Sequence, residues 1–258
     1  MLIVLSPSKT LDTDHYQPLK PTQPVFLDQA EKIVGQIQRL TQKELAQWMK
    51  ISPKLALLNW DRFRKWHTPF TNKNSKAAIF TYQGEAYSGL DAKSFTQQDT
   101  EFSQNHLRIL SGLYGVLKPL DLIQPYRLEI SATIPAQTPV SLVPFWKDLI
   151  SAEIGRAFQS NSQSETALIN LASNEYSRAI IYSKLNVQII TPIFKEKKGD
   201  TYKMVGTYAK KARGMMSRYI IKKRLKKPES IKDFNSANYY YNEKLSNETE
   251  WVFVRDLQ

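Results

Sequence analysis

Leu2-Ile3-Val4-Leu5-Ser6-Pro7-Ser8-Lys9-Thr10 opens the chain with a continuous apolar run rich in β-branched residues that stops abruptly at Ser6-Pro7. Four apolar residues without alternation, bounded by turn formers, read as a strand buried on both faces and running into a loop. Thr166 to Leu171 (TALINL) repeats the pattern, and Trp251 to Val254 (WVFV) reads as a closing strand. A hairpin is expected from Val187 to Phe194 and Tyr202 to Thr207, turning at Lys198-Gly199-Asp200. Ala77 to Tyr82 (AAIFTY) also reads as a strand.

Helical signals lie between these runs. Asp28 to Leu40 carries Ala30, Ile33, Val34, Ile37 and Leu40 at helical spacing. Thr41 with Glu44 forms a capping box for a helix through Trp48, and Ser52-Pro53 starts another toward Trp66. Thr96 with Asp99 opens a helix carrying Phe102, Leu107 and Leu110 and stopping at Gly112. Phe145 to Phe158 and Tyr208 to Lys226 complete the set, while Pro18, Pro21 and Pro24 make residues 11 to 25 an irregular excursion. Strands spread among helices imply a mixed α/β class, a mixed sheet surrounded by helices.

The 258 residues are 41% hydrophobic, enough for a sizeable core in one large domain. No apolar run approaches the roughly 18 residues of a membrane span, and the N-terminus lacks secretory-signal features, so a cytoplasmic protein with no membrane partner is expected. Cysteine is absent, which excludes disulfides, thiol redox chemistry and thiolate metal sites. His15, His67 and His106 are far apart in sequence, so no metal and no cofactor is expected.

Charge is the strongest functional signal. Lys195 to Lys227 holds thirteen Lys/Arg against Glu196 and Asp200, an excess of 11 of the chain's 12 net positive charges. A concentrated basic stripe recruits polyanions through counterion release, whereas a solubilising surface intersperses both signs. Within it, Tyr208-Ala-Lys-Lys-Ala-Arg-Gly-Met-Met-Ser-Arg-Tyr-Ile220 is an amphipathic helix. Tyr208, Ala212, Met215, Met216, Tyr219 and Ile220 share one arc, and Lys210, Lys211, Arg218 and Lys222 lie largely opposite. Gly214, on the cationic side, either admits a phosphate or packs against a neighbouring backbone. A solvated, purely structural face is the competing reading, weakened by the scarcity of acidic partners in the stripe.

Three further motifs hold candidate chemistry. Ser111-Gly-Leu-Tyr-Gly-Val-Leu-Lys118 after a helix is reminiscent of a helix-hairpin-helix, whose turn presents backbone N–H groups to a phosphate, here at Gly112 and Gly115 with Lys118 close by. The glycines are spaced by two residues rather than one, and Pro119 interrupts the next helix. Tyr126, Arg127 and Glu129 bring a planar donor and a carboxylate together, as a structural pair or a ligand reader. Lys9 sits at a strand end without the glycines of a P-loop, and a desolvated lysine there is a candidate Schiff-base nucleophile. Asn170 to Tyr176 (NLASNEY) is polar enough for a site but also reads as strand, turn and helix cap.

Ser6 to Asp12 (SPSKTLD), Gly112 to Ile130 (GLYGVLKPLDLIQPYRLEI), Asn170 to Tyr176 and Tyr208 to Ile220 together resemble the YaaA peroxide-stress-resistance family, nearly end to end. Ser8, Ile130 and Tyr219 stand where alanine, methionine and phenylalanine are expected. The resemblance implies one YaaA-like domain over residues 1–258 with an unusual α/β fold. It implies a cytoplasmic bacterial protein of the hydrogen peroxide response that is associated with lower free iron and binds double-stranded DNA through a basic cleft with a helix-hairpin-helix. On that view Lys210, Lys211, Arg213, Gly214, Arg218, Lys222, Gly112, Gly115 and Lys118 contact DNA; the sequence leaves the oligomeric state open, a monomer being compatible with it. Two rival expectations remain. One is a nucleic-acid-directed enzyme, base-removing or lyase, using Lys9 or the Tyr126, Arg127 and Glu129 group. The other is a carboxylate-based iron binder.

Overall fold

In the computed structural model, which describes residues 1–12, 14, 20–136, 138–159 and 167–256, the opening run is strand β1 (Leu2–Leu5), and all four residues are buried. Helices α1 (Leu27–Ile37), α2 (Gln42–Met49) and α3 (Pro53–Lys65) follow, then β2 (Lys76–Ala77) and the short helices α4 (Ala78–Thr81) and α5 (Glu85–Leu90). Helix α6 (Gln97–His106) runs directly into β3 (Leu107–Ser111), followed by β4 (Gly115–Leu117) and β5 (Leu122–Ile123). The ribbon β6 (Thr133–Ile134) with β7 (Val140–Ser141) precedes α7 (Leu142–Gln159). The second half comprises β8 (Ala167–Leu171), α8 (Asn174–Ser177), β9 (Gln188–Lys198), β10 (Thr201–Lys203), α9 (Gly206–Lys223), β11 (Tyr240–Tyr241) and β12 (Glu250–Arg255). Of the expected features, Pro18, His15 and Thr166 lie outside the described residues.

The main sheet has the order β11-β12-β9-β8-β1-β3-β4, with β10 paired to β9. Strands β12, β9, β8, β1 and β3 run parallel, and the flanking strands are antiparallel. Strands β1, β3 and β8 are buried throughout, which explains the unbroken apolar run of β1 and the predominantly apolar sequences of β3 and β8, where Arg108, Ser111 and Asn170 are buried polar exceptions: a parallel strand covered on both faces has no solvent side. The chain leaves β1 for β3 on one side and returns through β8 on the other, so the switch point of the sheet lies between β1 and β8. In open α/β sheets the crevice at the carboxyl ends of such strands is where ligands bind.

The capping signals are realised. Thr41 with Glu44 and Thr96 with Asp99 form reciprocal capping boxes, and Ser52 caps α3 with Pro53 in its first turn. Three expectations are corrected. The chain turns at Lys198-Gly199-Asp200 as expected, but Tyr202 to Thr207 does not pair with Val187 to Phe194: β10 stops at Lys203 and pairs with Glu196 to Lys198, because residues 188–196 are taken by β8 and β12 and α9 begins at Gly206. Ala77 to Tyr82 forms a strand only at Lys76–Ala77 and then a helical turn, because Ala78 and Ile79 donate their amides to the carbonyls of Asp121 and Pro119. The helix after Thr96 ends at His106 rather than Gly112, since Leu107, Arg108 and Ile109 pair with Ile3, Val4 and Leu5 of β1 and continue the sheet. Residues 107–117 are therefore a β-hairpin, and the helix-hairpin-helix expected at Gly112–Gly115 does not form there.

Helix α9 is seated on α5 by two glycines. A Cβ at Gly214 would lie 1.8 Å from the Ala86 carbonyl oxygen, and one at Gly89 would lie 2.2 Å from that of Lys211. Both distances are impossible, so the helices touch backbone to backbone and Gly214 is buried. The packing alternative for Gly214 holds, and contact with a phosphate at that residue is excluded. Gly214→Ala should lower stability by about 1–3 kcal/mol or more despite its better helix propensity, because overpacking outweighs the gain. Gly35→Ala in α1, where a Cβ meets nothing within 4 Å, should raise it by about 0.5–1 kcal/mol. Thermal melts of both variants measure this contrast.

Candidate functional site

A cleft of about 460 Å³ opens at the carboxyl ends of β1 and β8. Its floor is the loop after β1, stitched to the loop after β8: the Ser173 amide donates to Ser6 Oγ at 2.9 Å, and the two hydroxyls meet at 3.2 Å. One wall is Gln83 to Tyr87, the turn into α5 and its first residues, with Gly84 at a φ of 98° and the Tyr87 hydroxyl donating to the Ser6 carbonyl at 3.0 Å. The other walls are Tyr126 to Glu129, the residues around α8, and Lys210 with Arg213 from α9.

The cleft thus assembles Lys9, Tyr126, Arg127, Glu129, Lys210 and Arg213, which the sequence scatters over some 200 positions. Glu129 Oε1 lies 2.8 Å from Lys9 Nζ and 3.5 Å from Arg127 Nη2. Burial alone would raise the Glu129 pKa, but the hydrogen bond and charge of Lys9, with the charge of Arg127, hold it below the ordinary value. The Tyr126 hydroxyl is committed to the interior, 2.6 Å from Ser111 Oγ and 2.7 Å from the Tyr82 hydroxyl, and burial pushes its pKa up to about 12. It is a neutral structural group. Arg213 is half-buried, desolvation pushes its pKa down, and no carboxylate pairs with it among the described residues.

Other sequence-predicted contacts lie elsewhere. Arg218 donates to the Asp91 carbonyl at 3.0 Å and pairs with its carboxylate, closing off the C-terminal end of α5. Lys222 Nζ lies 2.8 Å from Asp99 Oδ2. These two cations are structural because the acidic partners missing from the basic stripe arrive from residues 91–99. The turn of the β3–β4 hairpin is buried, and the amides of Leu113 and Tyr114 donate to Ser111 Oγ, so Gly112 and Gly115 offer no backbone donors to a phosphate. A Cβ at Gly112 or Gly115 would strike Leu128 or Trp146, which explains the glycines by packing. Lys118 is exposed beyond β4, which runs antiparallel to β3, and so points toward the opposite end of the sheet from the cleft.

Sequence reasoning missed Glu85, Tyr87 and the turn at Gly84, for which Gln83-Gly84 inside an apolar segment was the only signal. It flagged Asn170 to Tyr176 without a role; Ser173, Glu175 and Tyr176 line the cleft. Among the described residues no three His, Asp or Glu side chains come together as a metal site, and no helix is long and apolar enough to cross a membrane.

Fold and site define a mixed α/β protein with a cleft lined by both cations and carboxylates at the switch point of a largely parallel sheet. The family model described as peroxide stress protein YaaA matches residues 1–245. A protein of Teredinibacter turnerae named UPF0246 protein is 46% identical over 256 residues, covering 99% of each chain. One of the same name from Psychromonas ingrahamii is 45% identical over 257 residues, again 99% of each. The chain belongs to the YaaA peroxide stress protein family.

The α9 ion pairs carry a pH signature. Burial would raise the Asp99 pKa, but hydrogen bonds from Lys222 and Thr96 bring it down to about 2, from 3.8. A depressed folded-state pKa contributes stability that is full above about pH 4 and is lost as pH falls toward 2. Asp99→Asn should lower the Tm by several degrees at neutral pH and flatten its fall between pH 4 and 2, measured by melting across that range.

Proposed function

We propose that the protein acts in the peroxide response by binding duplex DNA, in the cytoplasm, across the cationic surface beside the cleft. The supporting observation is the distribution of free cations. Strand β9 pairs with β8 only as far as Ile190 and continues to Lys198, so its far half, paired with β12 as far as Glu196, and β10 overhang the carboxyl ends of β8 and β1. This overhang exposes Lys197, Lys198 and Lys203, and the first half of α9 exposes Lys210 and Lys211. None of these five has a carboxylate partner among the described residues, unlike Arg218, Lys222 and Arg224. Unpaired cations clustered on one chain segment repel one another, and a polyanion removes that cost while releasing counterions.

Protection at the DNA also suits the chemistry available. A chain without cysteine has no thiol to react with peroxide. A lower level of free iron would then accompany this role without a resident iron site. The second reading, Lys9 as a Schiff-base nucleophile on damaged DNA, is favoured by its place in the cleft and opposed by its ion pair with Glu129. Borohydride trapping on abasic duplex separates the two.

Labelled duplex titrated at several salt concentrations should show log Kd rising with log salt. Lys198→Glu/Lys203→Glu/Lys211→Glu should weaken binding at least tenfold at low salt and reduce the salt slope by about two to three. Arg218→Gln should leave affinity nearly unchanged while lowering the Tm. Equal affinity of the triple variant and the wild type would sink the assignment.

A further inference from the structure

We propose that the cleft between the ends of β1 and β8 binds one nucleotide by its phosphomonoester, with Arg213 and Lys210 holding the phosphate and the apolar wall of Pro7, Ala86 and Leu128 taking the nucleoside. The choice of a nucleoside as carrier rests on the duplex-binding reading; the phosphate site does not.

Three observations converge. First, the Arg213 guanidinium is half-buried without a counter-ion, and a desolvated unpaired charge is costly unless a ligand supplies the opposite charge. The carboxylates of the cleft do not supply it: Glu129 is held by Lys9 and Arg127, Glu175 accepts from Ser131 at 2.6 Å, and Glu85 is exposed in the first turn of α5. Second, Arg127 Nε is buried with no hydrogen-bond acceptor among the described residues, and of the three side-chain atoms in that state, with Arg108 Nε and the Tyr182 hydroxyl, it is the one at the cleft. Third, 460 Å³ suits a ligand of mononucleotide size and is too small to admit a duplex. Two unpaired cations match a phosphomonoester, which carries about −1.5 to −2 near neutral pH, better than a backbone diester with its single charge. The guanidinium can engage two phosphate oxygens at once.

That phosphomonoester comes either from a free nucleotide or from the 5′ end of a strand. The full-length protein is titrated by calorimetry with the four deoxynucleoside 5′-monophosphates, their nucleosides and inorganic phosphate. The same is done with short duplexes carrying 5′-phosphate or 5′-hydroxyl ends. At least one monophosphate should bind tenfold or more tighter than its nucleoside and than inorganic phosphate. Arg213→Gln and, separately, the exposed-site variant Lys210→Gln should each weaken it about tenfold, with melts confirming that both fold. A preference for 5′-phosphorylated duplex ends identifies strand termini as the source; binding of free nucleotide alone identifies a metabolite. Salt-dependent duplex binding with no gain from any phosphomonoester overturns this proposal and leaves the duplex reading standing. Nucleotide binding without duplex binding supports this site and removes the other. Inorganic phosphate binding as tightly as every nucleotide overturns it as a nucleotide site.

Discussion

Helices α5 and α9 meet backbone to backbone at Gly89 and Gly214, and that contact fixes what each half of α9 can do. Because no side chain separates the helices, the N-terminal half of α9 is drawn over the carboxyl end of the sheet, where Lys210 and Arg213 line the cleft beside Gly84 to Tyr87. The same contact carries the C-terminal half past residues 91–99, where Arg218 and Lys222 find Asp91 and Asp99. A glycine in mid-helix costs about 1 kcal/mol of propensity. Here it sets the geometry of a site.

The basic stripe consequently divides into two populations. Arg218, Lys222 and Arg224 are joints of the fold, each compensated by a carboxylate remote in sequence, and Glu196 within the stripe is itself taken by Arg255 and the Tyr239 hydroxyl. The lysines of the β9–β10 overhang and the first turns of α9 remain uncompensated and exposed. These, unlike Arg218, Lys222 and Arg224, are available to a polyanion. Net charge along a sequence therefore overstates the binding surface by the number of cations that folding pairs off.

Residues 107–111 show why local pattern can mislead about a secondary element. Leu107 and Leu110 sit at helical spacing, and the Thr96–Asp99 capping box correctly announces a helix. What ends that helix is the availability of β1's open edge: pairing Leu107 to Ile109 against Ile3 to Leu5 buries both faces of β3 in the sheet core. Burial of this extent outweighs intrinsic propensity, which is a weak term at any single residue. Ala78 to Thr81 illustrates the converse, a β-prone segment turned helical by amide contacts to the 119–121 loop.

The sequence by itself determined what depends on neighbours along the chain. The doubly buried strands β1 and β8, the capped starts of α2, α3 and α6, the turn at Lys198-Gly199-Asp200 and the amphipathic character of α9 are all local consequences of residue order. It also marked Lys9, Arg127, Glu129, Lys210 and Arg213 as chemically able, and the four motifs that carry the family resemblance. Only the tertiary structure decided which of those charges are spent and which are free, because a carboxylate such as Asp99 reaches Lys222 through space, across 123 positions of sequence. For the same reason the cleft itself was illegible: its walls come from five separate segments brought together by the order of strands in the sheet.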